Sequence, residues 1–269
     1  MSTKLEFWKY EGLGNDFIVV ERAGDDVLPS ARVAALCDRH FGIGADGVLL
    51  VGAPRSGQSR ASMVVLNADG TRPEMCGNGL RCVALHLLER DGSDGQSLIV
   101  DTDAGPRACE ITRTGAASAE VVSDLGVGRL LEGFRVEVGS RALAFSRVSM
   151  GNPHAICFDH QLSSADIDAL APGVSARFPD GSNVEFAEQR DATTFGLVVW
   201  ERGVGRTLAC GTGAAAMAVA AVSEQRAAFD TALSVQLPGG PLTIWVSRER
   251  QVRVLGPARR VYAGWVDAV

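Results

Sequence analysis

Two stretches of this chain, GNGLRCVALHLLER from Gly77 and GTGAAAMAVAAVSE from Gly211, read as helices with almost no polar face. A helix that is apolar all round must be enclosed. The longest apolar run, GAAAMAVAAV from Gly213, is too short to span a bilayer, so the enclosing wall must be protein. The rest of the sequence supplies strands for it. LEFWKY, FIVVE, VLLVG, SMVVLN, SLIVDT, ACEIT and AEVVS surround the first helix; FRVEV, ALAFSRVSM, HAICF, NVEFAE, TFGLVVWE, LSVQLPG, LTIWVS, QVRVLG and RVYAGWV surround the second. Two more helices are expected, SARVAALCDRH with a cap at Ser30 and the short SSADIDAL, and a Gly/Leu-rich connection near 125–133 separates the two sets. The expected fold is α+β: two pseudo-symmetric domains, each a curved β-sheet or barrel around a central helix. Residues 1–123 form the first domain and 124–256 the second, and a strand over 257–269 returns to the first.

The halves also match residue by residue. Each enclosed helix is headed by Cys-Gly-x-Gly, in PEMCGNGLRC and in RTLACGTGAA. The offset that takes Cys76 to Cys210 takes Arg72 to Arg206, Gly77 to Gly211, Gly79 to Gly213 and Ala84 to Ala218, and GNDF at Gly14 echoes GNPH at Gly151. Short glycine motifs recur by chance, but these share one strand–turn–helix context, which points to a tandem duplication. Such a duplication is expected to set the two turns facing one another across an interdomain cleft, where small-molecule sites tend to lie.

A helix start offers unpaired N–H groups and a partial positive charge. A cysteine there is expected to have its thiolate stabilised and its pKa lowered from about 8.5. The amides after it can bind an anion, and glycines let a ligand approach the backbone. Two such turns around one small carboxylate would put its α-carbon between Cys76 and Cys210. That describes a two-base epimerase, in which one thiolate removes the α-proton and the other thiol returns a proton to the opposite face. One helix-start cysteine alone would be read as structural.

Other polar residues suit a second end of a substrate. VVWERGVG sets Glu201 and Arg202 where a strand meets a glycine loop; arginine grips carboxylates and glutamate can hold an ammonium, although a solvated ion pair is the blander reading. Asn15, Asn67, Asn152 and Asn183 each occupy a turn signal, most often plain turn chemistry, but here able to line a polar pocket. His154, in GNPH, is either a structural hydrogen-bonder or a tuner of a thiol pKa.

Several classes lose ground. A formal net charge of −6 without a basic cluster argues against nucleic acid or an anionic membrane as partner. The only lysines are Lys4 and Lys9, on the first strand, which leaves pyridoxal phosphate without its Schiff-base lysine and a P-loop without its phosphate lysine. Six cysteines in 269 residues, with no signal-peptide pattern at the start, read as free thiols of a cytoplasmic protein. GIGADG at Gly42 spells a dinucleotide fingerprint but follows a helix and precedes a strand, the reverse of what that site needs. Cys76, Cys82 and His86 have no standard zinc spacing, so no metal is expected.

Taken in order, GLGNDF, NADGTRPEMCGNGLRC, SMGNPH and ERGVGRTLACGTGAA resemble the motifs of the diaminopimelate epimerase family over essentially the whole chain. The resemblance implies cofactor-independent interconversion of LL- and meso-diaminopimelate in lysine and peptidoglycan synthesis, by a protein that is usually a homodimer. By motif it implies Cys76 and Cys210 as base and acid. Gly77, Asn78, Gly211 and Thr212 hold the reacting carboxylate, and Asn15, Gly47, Asn67, Asn152, Asn183, Glu201 and Arg202 hold the rest of the substrate. It sets His154 and Glu201 near the thiols as pKa modulators and matches Tyr262 to a tyrosine of the dimer interface. Gly47 departs from the pattern, standing where some members carry a substrate-touching glutamine, so any contact there must use backbone or water. The alternatives are a proline- or hydroxyproline-type racemase, a non-catalytic amino-acid-binding protein, and a thiol–disulfide redox protein, which lacks its C-x-x-C.

Overall fold

The computed structural model describes residues 3–22, 27–92, 95–158 and 162–268. The chain divides into two compact units, Met1–Ser123 with Gly256–Val269, and Asp124–Leu255. The first contains strands β1 (Thr3–Gly12), β2 (Asn15–Glu21), β3 (Gly47–Gly52), β4 (Ala61–Asn67), β5 (Gly95–Thr102), β6 (Gly105–Gly115) and β7 (Ser118–Val127), with helices α1 (Ser30–Cys37) and α2 (Gly77–Asp91). The second contains β8 (Arg129–Val138), β9 (Arg141–Ser149), β10 (Pro153–Cys157), β11 (Asn183–Gln189), β12 (Thr194–Glu201), the short β13 (Gly205–Thr207), β14 (Leu233–Leu237) and β15 (Gly240–Val246), with α3 (Ser164–Ser175) and α4 (Gly211–Ser223). A long strand β16 (Gln251–Ala268) runs from the second unit into the first.

In the first unit the sheet runs from β1 in sequence order to β7 and then β16, which pairs back on β1 and closes an eight-stranded barrel. The second unit runs β8-β9-β10-β11-β12-β14-β15-β16. The units repeat the sense of each pairing as well as the order. β2–β3 and β4–β5 are parallel, and so are their counterparts β10–β11 and β12–β14; the neighbours on either side are antiparallel. Reproducing two parallel pairs at matching places is what a duplicated unit would do.

Alternation explains how each sheet is covered on both sides. In β2 and β3, Phe17, Val19, Leu49 and Val51 point to the core around α2, while Ile18, Val20, Val48 and Leu50 pack on Val33, Leu36 and Cys37 of α1. In the second unit Val184 and Phe186 of β11 pack on Ile167, Ala171 and Val174 of α3. The residues that alternate with them, Glu185 and Ala187, thereby turn to the α4 side. Every residue from Gly77 to Leu88, and from Gly211 to Val222, is buried, so both apolar helices are enclosed.

Local details depart from the sequence expectation. α1 takes its N-cap from Pro29, with no side-chain cap from Ser30. It stops at Cys37 because the Asp38 carboxylate accepts the amides of His40 and Phe41. α3 runs on through Pro172 to Ser175, started by a reciprocal Ser163–Asp166 capping box. The stretch 125–133 is mostly strand, running from the end of β7 through Gly128 into β8, where Gly133 lies in a bulge between Leu131 and Phe134. QVRVLG and RVYAGWV are one strand.

Candidate active site

Both cysteines are helix N-caps. Cys76 has φ −138° and ψ 114°, and its Sγ accepts the Gly79 amide at 3.4 Å; Cys210 has φ −126° and ψ 110°, and its Sγ accepts the Gly213 amide at 3.3 Å. Sulfur here takes the place that Ser, Asp or Asn oxygen usually fills, and it receives an N–H that favours the thiolate. All six cysteines are free. The third helical position is crowded in both turns, in a way the sequence did not show. A Cβ on Gly79 would come within 2.9 Å of Leu49 Cδ2, and one on Gly213 within 2.7 Å of Glu185 Oε1 and 3.4 Å of Cys210 Sγ.

Within each unit the polar residues gather at one end of the sheet, where two parallel strands begin, a third ends and the enclosed helix starts. In the first unit Gly47 stands opposite Phe17 and Asn67 in register. Asn15 Oδ1 accepts from Asn78 Nδ2 at 3.1 Å, and Asn15 Nδ2 donates to Asp46 at 2.7 Å. Asn78 Oδ1 in turn accepts from Arg81 Nη2 at 2.8 Å. Arg81 is wholly buried; its Nε donates to the Pro257 carbonyl and its Nη1 has no hydrogen-bond partner. Asn67 is exposed and donates to Thr71 Oγ1 at 2.9 Å, as a turn residue would. Gly47 has no room for a side chain, since a Cβ would sit 2.6 Å from the Leu66 carbonyl oxygen.

In the second unit Asn152, His154, Asn183, Glu201 and Thr212 assemble about Cys210. Thr212 Oγ1 lies 3.4 Å from the Cys210 sulfur and accepts from Asn152 Nδ2 at 3.5 Å. His154 Nε2 is 3.0 Å from Asn152 Oδ1, and His154 Nδ1 is 2.6 Å from Glu185 Oε1. Glu201 accepts from Thr207 Oγ1 at 2.5 Å, and Asn183 Oδ1 accepts the Arg202 amide at 3.0 Å. Arg202 and Glu201 form no ion pair. The exposed Arg202 guanidinium donates to the Asp180 carbonyl at 2.8 Å and has no carboxylate partner among the described residues. Tyr262 lies edge-on to Phe7 with ring centres 6.0 Å apart, and its hydroxyl donates to the Ile43 carbonyl at 3.4 Å.

The expected lowering of thiol pKa fails at Cys210. Burial pushes this thiol well above its ordinary value, Glu201 and Glu185 add to the rise, and the Thr212 hydroxyl and Gly213 amide only partly oppose it. The helix start is outweighed by desolvation and two carboxylates. Cys82, fully buried in α2, is also pushed up by burial, and His86 is held by Tyr10 and Glu21, as core groups would be. Arg81 and Glu185 escaped sequence reasoning. Arg81 is a charged residue in a helix read as enclosed, and that mismatch was the available signal; Glu185 gave none, because it alternates with apolar residues as a solvent-facing glutamate would.

Comparison with known proteins agrees with this geometry. A family model described as diaminopimelate epimerase matches residues 7–131 and 146–261. The diaminopimelate epimerase of Synechococcus elongatus is 40% identical over a 278-residue alignment covering 98% of each chain. That of Gloeothece citriformis is 40% identical over 282 residues, covering 97% of this chain and 98% of its own. Among solved structures, a hydroxyproline epimerase from Agrobacterium vitis superposes with a TM-score of 0.78 at 14% identity, covering all of this chain and 94% of its own. A Bacillus anthracis protein of the PhzF phenazine biosynthesis family does so with a TM-score of 0.71 at 14% identity, covering 98% and 99%.

Proposed function

Since the chain belongs to the diaminopimelate epimerase family, we propose that it interconverts LL- and meso-2,6-diaminopimelate, with Cys76 and Cys210 exchanging the proton of one α-carbon. One thiolate takes the α-hydrogen, so a C–H bond breaks and an S–H bond forms. The other thiol gives its hydrogen to the opposite face of the carbanion, and no electrons enter or leave. The observation that carries the reading is the pair of cysteine-capped, buried helices, each with its sulfur on the third helical amide.

The amides and side chains at Gly77, Asn78, Gly211 and Thr212 hold the reacting carboxylate and take up charge as the carbanion develops. Arg202, exposed and without a carboxylate partner among the described residues, suits the distal carboxylate, and Glu201 suits an ammonium. Asn15, Asn67, Asn152 and Asn183, with the backbone of Gly47, complete the polar lining, and His154 and Glu201 adjust the proton affinity of Cys210. No organic cofactor takes part. Lys9 is buried and bound to Asp16 and the Gly44 carbonyl, and Lys4 lies 3.2 Å over the Trp265 ring, so neither lysine is free for a Schiff base. The free cysteines suit the reducing cytoplasm. A homodimer forms through β16, where Val261, Tyr262 and Trp265 leave 48%, 43% and 58% of their surfaces exposed. Sedimentation of a Tyr262→Glu variant, expected to run as a monomer, checks that part.

The reaction is tested by proton NMR of LL-diaminopimelate with the reduced protein in D2O. Meso isomer carrying deuterium at one α-carbon is the expected product. Exchange of proline or hydroxyproline instead would favour the second reading, a racemase of that type, which the superposition on a hydroxyproline epimerase keeps in view.

A further inference from the structure

Glu185 has no assigned part in the reaction above, yet it is fully buried and sits beside Cys210. Its Oε1 meets His154 Nδ1 at 2.6 Å, its Oε2 has no partner, and His154 itself is completely buried. From His154 a line of contacts continues to Asn152 Oδ1 at 3.0 Å, from Asn152 Nδ2 to Thr212 at 3.5 Å, and from Thr212 to the Cys210 sulfur at 3.4 Å. The first unit shows what the fold itself requires at this place. Phe17 opposes Gly47 in register as His154 opposes Asn183, so two residues further along β3 and β11 Leu49 corresponds to Glu185. The glycines agree independently: a Cβ on Gly79 meets Leu49, and a Cβ on Gly213 meets Glu185. The architecture is therefore built once with a Phe–Leu pair and once with a His–Glu pair, and packing alone does not account for the second.

We propose that Glu185 is a positioning residue for the epimerase reaction: it holds His154, which orients the Asn152 amide and through it Thr212 and Cys210. The inference rests on the two-thiol reading. Hydrogen-bond directions fix the proton count. With Asn152 Nδ2 donating to Thr212, Asn152 Oδ1 can only accept, so His154 Nε2 carries a hydrogen. A proton also lies between Nδ1 and Oε1. The pair thus holds one proton more than a neutral imidazole beside a carboxylate, and its net charge is zero. That state suits an interior in which Oε2 is unpartnered. Burial raises the Glu185 carboxyl above its usual range, and His154 and the Ala155 amide oppose the rise. The groups that face Cys210 are Glu185 from β11, Glu201 from β12, and Thr212 and the Gly213 amide from α4; His154 of β10 stands behind Glu185.

The test compares Glu185→Gln with the double variant His154→Phe/Glu185→Leu, which installs the pair that the first unit carries. Two readouts are taken: kcat for diaminopimelate in both directions, and the pH dependence of Cys210 alkylation by iodoacetamide, followed by peptide mapping without substrate. Glu185→Gln is expected to lower kcat roughly 10-fold or more, as loss of an orienting partner commonly does. It is also expected to move the Cys210 alkylation midpoint to lower pH, because the carboxyl oxygen is the member of the neutral pair nearer the sulfur, with His154 behind it, and it raises the thiol's proton affinity. The double variant should fold and stay equally slow. A double variant with parental kcat would make the pair mere packing and overturn the proposal, as would an unmoved alkylation midpoint in Glu185→Gln. If the parent itself exchanges no diaminopimelate proton, the two-thiol reading fails, while the alkylation comparison still decides whether Glu185 controls Cys210.

Discussion

The two cysteine turns share a backbone and differ in what stands behind them. At Cys76 the strand side chain under the helix start is Leu49, and the neighbouring charge is the buried Arg81 guanidinium, which grips Asn78. At Cys210 the strand side chain is Glu185, Ala215 stands where Arg81 would be, and Glu201 adds a second carboxylate. A duplicated frame has thus been given a cation on one side and carboxylates on the other. A one-proton exchange needs one sulfur without a proton and one with it, and a symmetric pair of sites would not say which. On the proposed two-thiol reading, the different groups behind the two sulfurs break that tie without altering the fold.

The largest effect should come from the sulfurs themselves. Cys76→Ser and Cys210→Ser are each expected to cut turnover by about 10²–10⁴-fold, measured by deuterium incorporation into diaminopimelate. Equal residual exchange of the α-hydrogen in the two variants would break the comparison; unequal residues would sharpen it. Next come the glycines. Gly213→Ala must displace a buried carboxylate and crowd the sulfur, at a cost of about 1–3 kcal/mol, whereas in Gly79→Ala a Leu49 methyl can turn aside and helix propensity returns about 1 kcal/mol. Urea unfolding of both variants checks the ordering.

Arg81→Met should lower turnover about tenfold, or ~1.4 kcal/mol, by freeing Asn78. It should also cost about 1–3 kcal/mol of stability, since Asn78 Oδ1 and the Pro257 carbonyl lose their buried donor. Steady-state kinetics beside a melting curve separates the two. A smaller effect concerns titration at Cys210. Its raised proton affinity keeps the thiol protonated through neutral pH, with thiolate appearing only as pH climbs past the ordinary thiol range. Glu201→Gln should therefore shift its alkylation midpoint down and Thr212→Val should shift it up. Smallest of all are the matched arginines. Arg72 holds Asp103 through two bonds of 2.6 and 2.9 Å and Arg206 holds Asp168 at 2.8 Å, both at the surface. Alanine at either is expected to cost less than about 1 kcal/mol in urea unfolding, with Arg72 the larger.

Legibility followed periodicity. The two enclosed helices could be read directly, because twelve consecutive buried positions leave no polar stripe to misread. The cysteines could be read because their motif occurs twice. Only the start of β8 was hidden, since FRVEV was legible: the glycines of GVGRLLEGF look like a linker, but a Cβ on Gly133 would lie 2.6 Å from the Phe145 carbonyl oxygen. β16 was cut in two by Gly256 and Pro257, where it passes between units. Glu185 was hidden for a different reason. In NVEFAE a glutamate between two apolar residues normally faces water, and only α3 covering the Val184–Phe186 face turns it inward. Single-strand patterns cannot show which face a distant helix covers.

The passage of β16 from one unit to the other has a consequence for biosynthesis. Residues 124–255 are contiguous, so the second unit can complete its own sheet as soon as Leu255 has been made. The first unit cannot. Its β1 strand, in which Thr3 stands opposite Ala268 and Glu11 opposite Arg259, keeps an open edge until β16 arrives. The unit encoded first is therefore the one that closes second, and between those moments β1 presents an unpaired edge of the kind that templates aggregation. Its defences at that stage are its own charges, Lys4, Glu6, Lys9 and Glu11, spaced along an otherwise apolar edge.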